Sequence, residues 1–128
     1  MTGTVTAENA TITTLTATTA NVANMLKIPS ATVAAVGTIQ GDAGLVATGF
    51  TLVSAADGDK GVRLPLAAAG MVCILKNNTA AELKVWPGVG DGINAVAVNS
   101  AFTMASLTSC TLVAYDATTW LTLPLVAS

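Results

Sequence analysis

The stretch GMVCILKNNTAAELKVWP, residues 70–87, contains two short alternating runs around one polar turn. In the second run, Leu83 and Val85 share one face of an extended chain, because successive side chains of a strand point to opposite sides. Lys84 and Trp86 share the other face. Alternation of apolar and polar residues is typical of a half-buried β-strand. The stretch therefore predicts two strands joined by a polar turn.

Similar runs continue on both sides of this stretch, and Gly and Asp turns separate them. They are short and rich in β-branched residues: TLVSA (51–55), GVRLP (61–65), INAVAVN (93–99), SAFTMA (100–105), SLTSCTLVAYD (106–116) and TTWLTLPL (118–125). Short strands at intervals of roughly 8 to 12 residues are typical of all-β sandwiches and barrels. We therefore predict an all-β domain over residues 41–128, an antiparallel β-sandwich or barrel of jelly-roll type.

Residues 1–40 differ from the rest of the chain and are predicted to form an N-terminal arm. The run ATITTLTATTANV (10–22) has six threonines in thirteen positions, and threonine favours extended chain over helix. Large apolar residues recur here at spacings of seven and three, and one copy of such a segment cannot bury them alone. We expect an extended arm that intertwines in a homotrimer and contacts a partner; a disordered tail and a short helix are the alternatives. The predicted interface residues are Val5, Ile12, Leu15, Val22 and Met25.

The composition favours a protein with large buried interfaces. Only 9% of the residues are charged, against about 25% in typical domains, and 52% are apolar. Protein interfaces are depleted in Lys and Glu, which favours an obligate oligomer. The net charge of -2 and five scattered basic residues argue against nucleic-acid binding. We see no signal peptide or membrane-spanning run, so we expect synthesis in a cytoplasm and no membrane partner.

The sequence offers little material for catalysis, and we predict neither an enzyme nor a cofactor or metal site. Histidine, the usual general base and the commonest metal ligand, is absent. Cys73 and Cys110 lie within apolar runs, which predicts buried reduced thiols, although a disulfide between them stays open. The candidates for carboxyl chemistry are the aspartates Asp57, Asp59, Asp91 and Asp116, which would have to act without a histidine.

Two local motifs resemble ligand sites but are better interpreted as turns. The run DGD at 57–59 lacks the further acidic ligands of a calcium loop, and we expect a hairpin turn there. The run GVGDG at 88–92 precedes a strand-like segment, whereas a phosphate-binding glycine loop leads into a helix N-terminus.

Two tryptophans are candidates for an exposed aromatic patch. In the last run, Trp120 and Thr122 alternate with Leu121 and Leu123. We expect one set on the core and the tryptophan side against water or a neighbouring subunit. Trp86 could join Trp120 in a small sugar-binding patch, but anchoring in the core or an interface is the favoured interpretation of both rings.

Residues 53–124 resemble a module of tailed-bacteriophage virion proteins. The resemblance is carried by GVRLP, KNNTAAELKVWP, GDGINA and SCTLVAYDATTWLTLP, which are turns and strand edges. This segment is similar to the C-terminal part of head-fibre, decoration and cement proteins. The resemblance implies a homotrimer on the capsid surface whose partner is the major capsid protein of the phage head, as a decoration or cement protein. The alternative is a head- or tail-fibre adhesin that binds host surface glycans.

Overall fold

The computed structural model describes residues 3, 6 and 9–124, and its regular structure is almost entirely β. Its ten strands are β1 (Ser30–Ala34), β2 (Gly44–Leu45), β3 (Phe50–Ser54), β4 (Gly61–Arg63), β5 (Val72–Asn77), β6 (Leu83–Trp86), β7 (Gly92–Ile93), β8 (Phe102–Met104), β9 (Ser109–Ala114) and β10 (Thr119–Leu123). A single 3-10 turn, Gln40–Asp42, separates β1 from β2. The prediction of an all-β protein is confirmed.

The first six strands form three coils of a β-solenoid. The chain alternates between two sheets, so that β1, β3 and β5 lie side by side in one sheet and β2, β4 and β6 in the other. All four of these neighbouring pairs are parallel. Ser30 lies beside Phe50, and Phe50 lies beside Ile74, a period of roughly 20 residues that is typical of repeat architectures.

The C-terminal strands close one end of this solenoid with antiparallel pairs. β8 pairs with β6 in the four-stranded sheet, and β9 pairs with β5 in the six-stranded sheet. β10 then pairs with β9, and the short β7 lies parallel to β10 at the sheet edge. The predicted antiparallel arrangement therefore holds only for these strands. For the three coils the prediction was wrong, because their neighbouring strands are parallel. Alternation indicates that one face of a strand is buried, but it does not indicate the direction of the neighbouring strand.

The core lies between the two sheets. The six-stranded sheet contributes mainly Val53, Leu75, Leu112 and Trp120, and the four-stranded sheet contributes Val62, Leu83, Val85 and Phe102. All eight side chains are at most 1% exposed. Burying a side chain of this size contributes roughly 1.5 to 3 kcal/mol, so this layer is the main favourable term in folding. The predicted burial of Leu83 and Val85 is confirmed.

The alternation of β10 is real, but its two faces are the reverse of the expectation. Trp120 is 0% exposed and Thr122 is 2% exposed, so these two side chains face the core. Leu121 and Leu123 lie on the outer surface at 38% and 56% exposure. Both sets of side chains have large apolar members, and the indole is the largest member of the set that faces the core between the sheets.

The run 93–99 is mostly a loop and not the predicted strand. Only Gly92–Ile93 is extended, because Asn94 has φ 53° and Asn99 has φ 61°. Asn tolerates this left-handed conformation better than most residues. The Asn94 Nδ2 donates to Thr122 Oγ1 at 2.9 Å, and the Asn94 Oδ1 accepts from Thr122 N at 3.0 Å. These bonds fix the loop to β10.

The folded unit begins before the predicted domain boundary at residue 40. β1 starts at Ser30 and is hydrogen-bonded to β3, and Ala35 is 1% exposed within the core. Residues 9–29, called the N-terminal segment below, contain no strand, and every one of them is exposed. Pro29 O accepts from Phe50 N at 3.1 Å, so the segment leaves the body beside the start of β3.

Candidate functional site

The carboxylate of Asp57 stabilises its own turn. Its Oδ1 accepts from Asp59 N at 3.2 Å and from Lys60 N at 2.9 Å, and its Oδ2 pairs with Lys60 Nζ at 2.9 Å. The hydrogen bond from the Lys60 side chain, followed by those from the backbone, lowers the pKa of Asp57 from 3.8 to about 2. The turn joins β3 to β4, which lie in different sheets. It is therefore a corner of the solenoid and not the predicted hairpin.

The glycine-rich run 88–92 is held by a buried carboxylate. Asp91 is 3% exposed, and its Oδ2 accepts from Ala67 N at 2.7 Å. Gln40 Nε2 donates to the carbonyl oxygens of Pro87 and Gly88 at 3.0 and 3.2 Å. A Cβ on Gly88 would lie 2.8 Å from Asp91 Oδ2. The polar groups of this loop are thus directed at the chain itself.

The remaining acidic candidate, Asp116, also caps a turn. Its Oδ1 accepts from Thr118 N at 2.8 Å, and this backbone bond is the main cause that lowers the pKa of Asp116. Within the described part of the chain, no three His, Cys, Asp or Glu side chains lie together in a geometry that could hold a metal ion. Asp57 and Asp59 share one turn, and Asp91 and Asp116 lie in two other turns.

The two cysteines are free and buried on neighbouring strands. Cys73 lies opposite Leu112, and Cys110 lies opposite Leu75, so the thiols are diagonal neighbours across β5 and β9. Burial raises the pKa of Cys73, and it raises the pKa of Cys110 to about 11. A protonated buried thiol is a poor nucleophile and a poor metal ligand.

The two tryptophans do not lie together in an exposed patch. Trp120 lies in the core, whereas Trp86 lies half-buried on the outer face of the four-stranded sheet. The Trp86 indole covers Gly61, where an added Cβ would come within 3.0 Å of its Nε1. Tyr115, in the turn between β9 and β10, is an exposed aromatic side chain at 71% exposure.

The outer face of the six-stranded sheet carries seven exposed or partly exposed apolar side chains. We call it the apolar face, and it consists of Phe50, Leu52, Val72, Ile74, Val113, Leu121 and Leu123. The strand register places Val72, Val113 and Leu121 in one row. It places Phe50, Ile74 and Leu123 in another, in which Thr111 lies between the last two. Contiguous exposed apolar patches on soluble proteins commonly mark interaction sites. The alternation in β10 was the available sequence signal, but we expected its tryptophan side, and not its leucine side, on the surface.

The polar residues on this sheet face carry almost no charge. Lys76 is the one charged residue at the outward positions of the described strands of the six-stranded sheet, and its Nζ donates to the carbonyl of Leu107. The other outward polar side chains are hydroxyls of Ser and Thr. In contrast, the outer face of the four-stranded sheet presents Arg63 and Lys84 beside Trp86.

The predicted interface residues of the N-terminal segment are exposed. Ile12, Leu15, Val22 and Met25 are 62%, 67%, 50% and 84% exposed, respectively. Val5 lies outside the described residues. Apolar side chains at this exposure stabilise nothing within the single chain.

No family model, curated protein or solved structure matches the chain. In the described part of the chain, no helix is long and apolar enough to cross a membrane. The features that bear on function are therefore the exposed apolar side chains and the polar side chains that are already hydrogen-bonded within the chain.

Proposed function

We propose that the chain is a structural protein of a tailed-bacteriophage virion, a decoration or cement protein that binds the assembled head shell as a homotrimer and stabilises it. The observation that carries this proposal is the contrast between its surfaces. The apolar face and the N-terminal segment expose large apolar side chains, whereas the aspartates at 57, 91 and 116 are hydrogen-bonded within their own turns. Such a surface is suited to bind another protein and poorly suited to convert a substrate.

The stabilising mechanism is binding energy. A trimer that binds assembled capsomers but not free ones shifts the equilibrium toward the assembled shell, by RT ln(1 + [L]/Kd) for each site. Once one subunit of the trimer is bound, the other two have a high effective concentration at neighbouring sites, provided that their spacing matches the capsid lattice. Neither effect requires a catalytic group.

The glycan-binding alternative receives less support from the aromatic residues. Sugar-binding faces use exposed aromatic rings, and Trp120 is fully buried while Trp86 is covered on one side by its packing over Gly61. We therefore retain host glycans as an outcome of the test and not as a second proposal.

The test is cosedimentation of the purified chain with empty, expanded capsids of the phage that encodes it. We expect saturable binding and a higher temperature of capsid disruption in the decorated particles. A variant that lacks residues 1–29 should keep its fold, because the core residues all lie within 35–120, and should lose attachment. Retention on host cells or glycans with no binding to capsids would contradict the proposal.

A further inference from the structure

We propose that the apolar face binds the N-terminal segment of a neighbouring copy of the same chain. This inference rests on the proposed homotrimer and assigns the contact that holds it together. Both surfaces are exposed in the single chain, and each is apolar and nearly free of charge. Contact between the two surfaces would therefore remove apolar area of both from water.

The segment leaves the body at the rim of the apolar face. Ile28 packs over Gly49, where an added Cβ would lie 3.5 Å from Ile28 Cδ1, and Phe50 of the apolar face follows directly. An open surface groove of about 420 Å³ lies at this point, and its lining includes Thr32, Phe50 and Leu52. The N-terminal segment of one copy can therefore extend onto the apolar face of a second copy that lies beside it.

The size of the face favours an added segment over simple contact between two faces. Four strands at about 4.8 Å spacing and about five residues at 3.3 Å give a flat footprint on the order of 300 Å². A standard interface buries about 800 Å² on each partner. Residues 9–29 reach on the order of 70 Å when extended, long enough to cross this face and supply the missing area.

The charges are compatible with this pairing. The face carries Lys76, which is directed at the carbonyl of Leu107, and the segment carries Lys27 close to its own body. Neither surface brings a carboxylate into the contact. Burial of the contact therefore leaves no acidic group without a partner, which would be costly.

The contact is expected between chains and not within one. In the single chain the segment is exposed at every described position from 9 to 29, and the apolar face is uncovered. If each copy placed its segment on the next copy, every apolar face would be covered by one segment. The result would be the closed symmetric assembly that is usual for homo-oligomers.

The test compares association of the full chain and three paired variants by sedimentation velocity. The face variant is Leu121→Ser with Leu123→Ser, and the segment variant is Ile12→Ser with Leu15→Ser. The matched control is Leu66→Ser with Val89→Ser, which replaces exposed apolar side chains in the loops that follow β4 and β6 of the four-stranded sheet. We expect the face and segment variants each to weaken association at least about tenfold, and the control to match the unmodified chain.

The combined face and segment variant decides whether the two surfaces meet. If they contact each other, the combined loss is clearly smaller than the product of the two separate losses, because the second change removes a contact that is already gone. Additive losses would overturn the pairing. Association of the face variant that equals the control would overturn the site while leaving the trimer itself intact, whereas a monomeric full chain would overturn both.

A cross-link establishes that the contact is between chains. A photoreactive amino acid is placed at position 15 in a mixture of unlabelled and ¹⁵N-labelled chains. We expect cross-linked peptides from β10 or β9 that combine both isotopes. Cross-links within a single isotope only would show a segment folded onto its own chain and would contradict the proposal.

Discussion

Replacing Asn77 with Ala tests whether the solenoid is held to its antiparallel cap by one buried side chain. Asn77 is 0% exposed at the end of β5. Its Nδ2 donates to Ala81 O at 2.8 Å and to Ala105 O at 3.1 Å. Its Oδ1 accepts from Thr79 N at 3.1 Å and from Thr79 Oγ1 at 2.8 Å. One amide therefore fastens the turn before β6 to the turn after β8.

The expected loss follows from these four bonds. Each net hydrogen bond contributes about 0.5 to 1.5 kcal/mol, and the carbonyl of exposed Ala105 regains water when the amide is removed. We therefore expect Asn77→Ala to lower the free energy of unfolding by about 3 kcal/mol, and Tm by about 10 °C. Urea denaturation followed by the fluorescence of buried Trp120 measures this loss.

Asn78 provides the control because it is the same residue type at the next position. Its side chain is exposed, and its backbone N donates to Val53 O regardless of the side chain. Asn78→Ala should change the free energy of unfolding by less than about 0.5 kcal/mol. Equal effects of the two substitutions would refute the argument that Asn77 fastens the cap.

Three further predictions concern packing, thiol reactivity and pH. Gly88→Ala should cost about 1 to 3 kcal/mol because its Cβ would lie 2.9 Å from Pro65 O, whereas Gly41→Ala meets nothing within 4 Å; thermal melts that fail to separate the two would contradict this. Cys110, whose pKa is raised to about 11, should resist a thiol reagent at pH 8 until the chain unfolds, and rapid labelling of folded protein would show that the thiol is accessible. Because the pKa of Asp57 is lowered from 3.8 to about 2, its pairing stabilises the fold above about pH 4, and this contribution is lost as the pH falls through 2. The difference in Tm between the unmodified chain and Asp57→Asn should therefore shrink from pH 5 to pH 2, and a constant difference would count against the pairing.

The sequence was sufficient for the strands with the strongest alternation. β5, β6, β9 and β10 all fall within predicted runs, because each places small or large apolar side chains on one face at period two. The first coil could not be predicted in the same way. Its strand SATVA has mostly small side chains, and it is extended because it pairs with β3, a partner that lies about one coil later in the chain.

The candidate site was only partly predictable for a similar reason. The exposed apolar residues of the N-terminal segment followed from its composition. The apolar face did not, because both sides of β10 are apolar in part, and only the packing of Trp120 between the sheets leaves Leu121 and Leu123 outside. A pattern of alternation determines two faces, and the tertiary structure determines which of them is buried.

Sedimentation equilibrium of the full chain tests the central claim that it works by association with its own copies. We expect a single species of about 38 kDa, three times the 12.7 kDa of one chain, at micromolar concentration. The unmodified chain and the variant with Leu66→Ser and Val89→Ser should give the same mass. A mass of 12.7 kDa at every concentration up to about 100 µM, which corresponds to no association stronger than roughly 5 to 6 kcal/mol, would contradict the account.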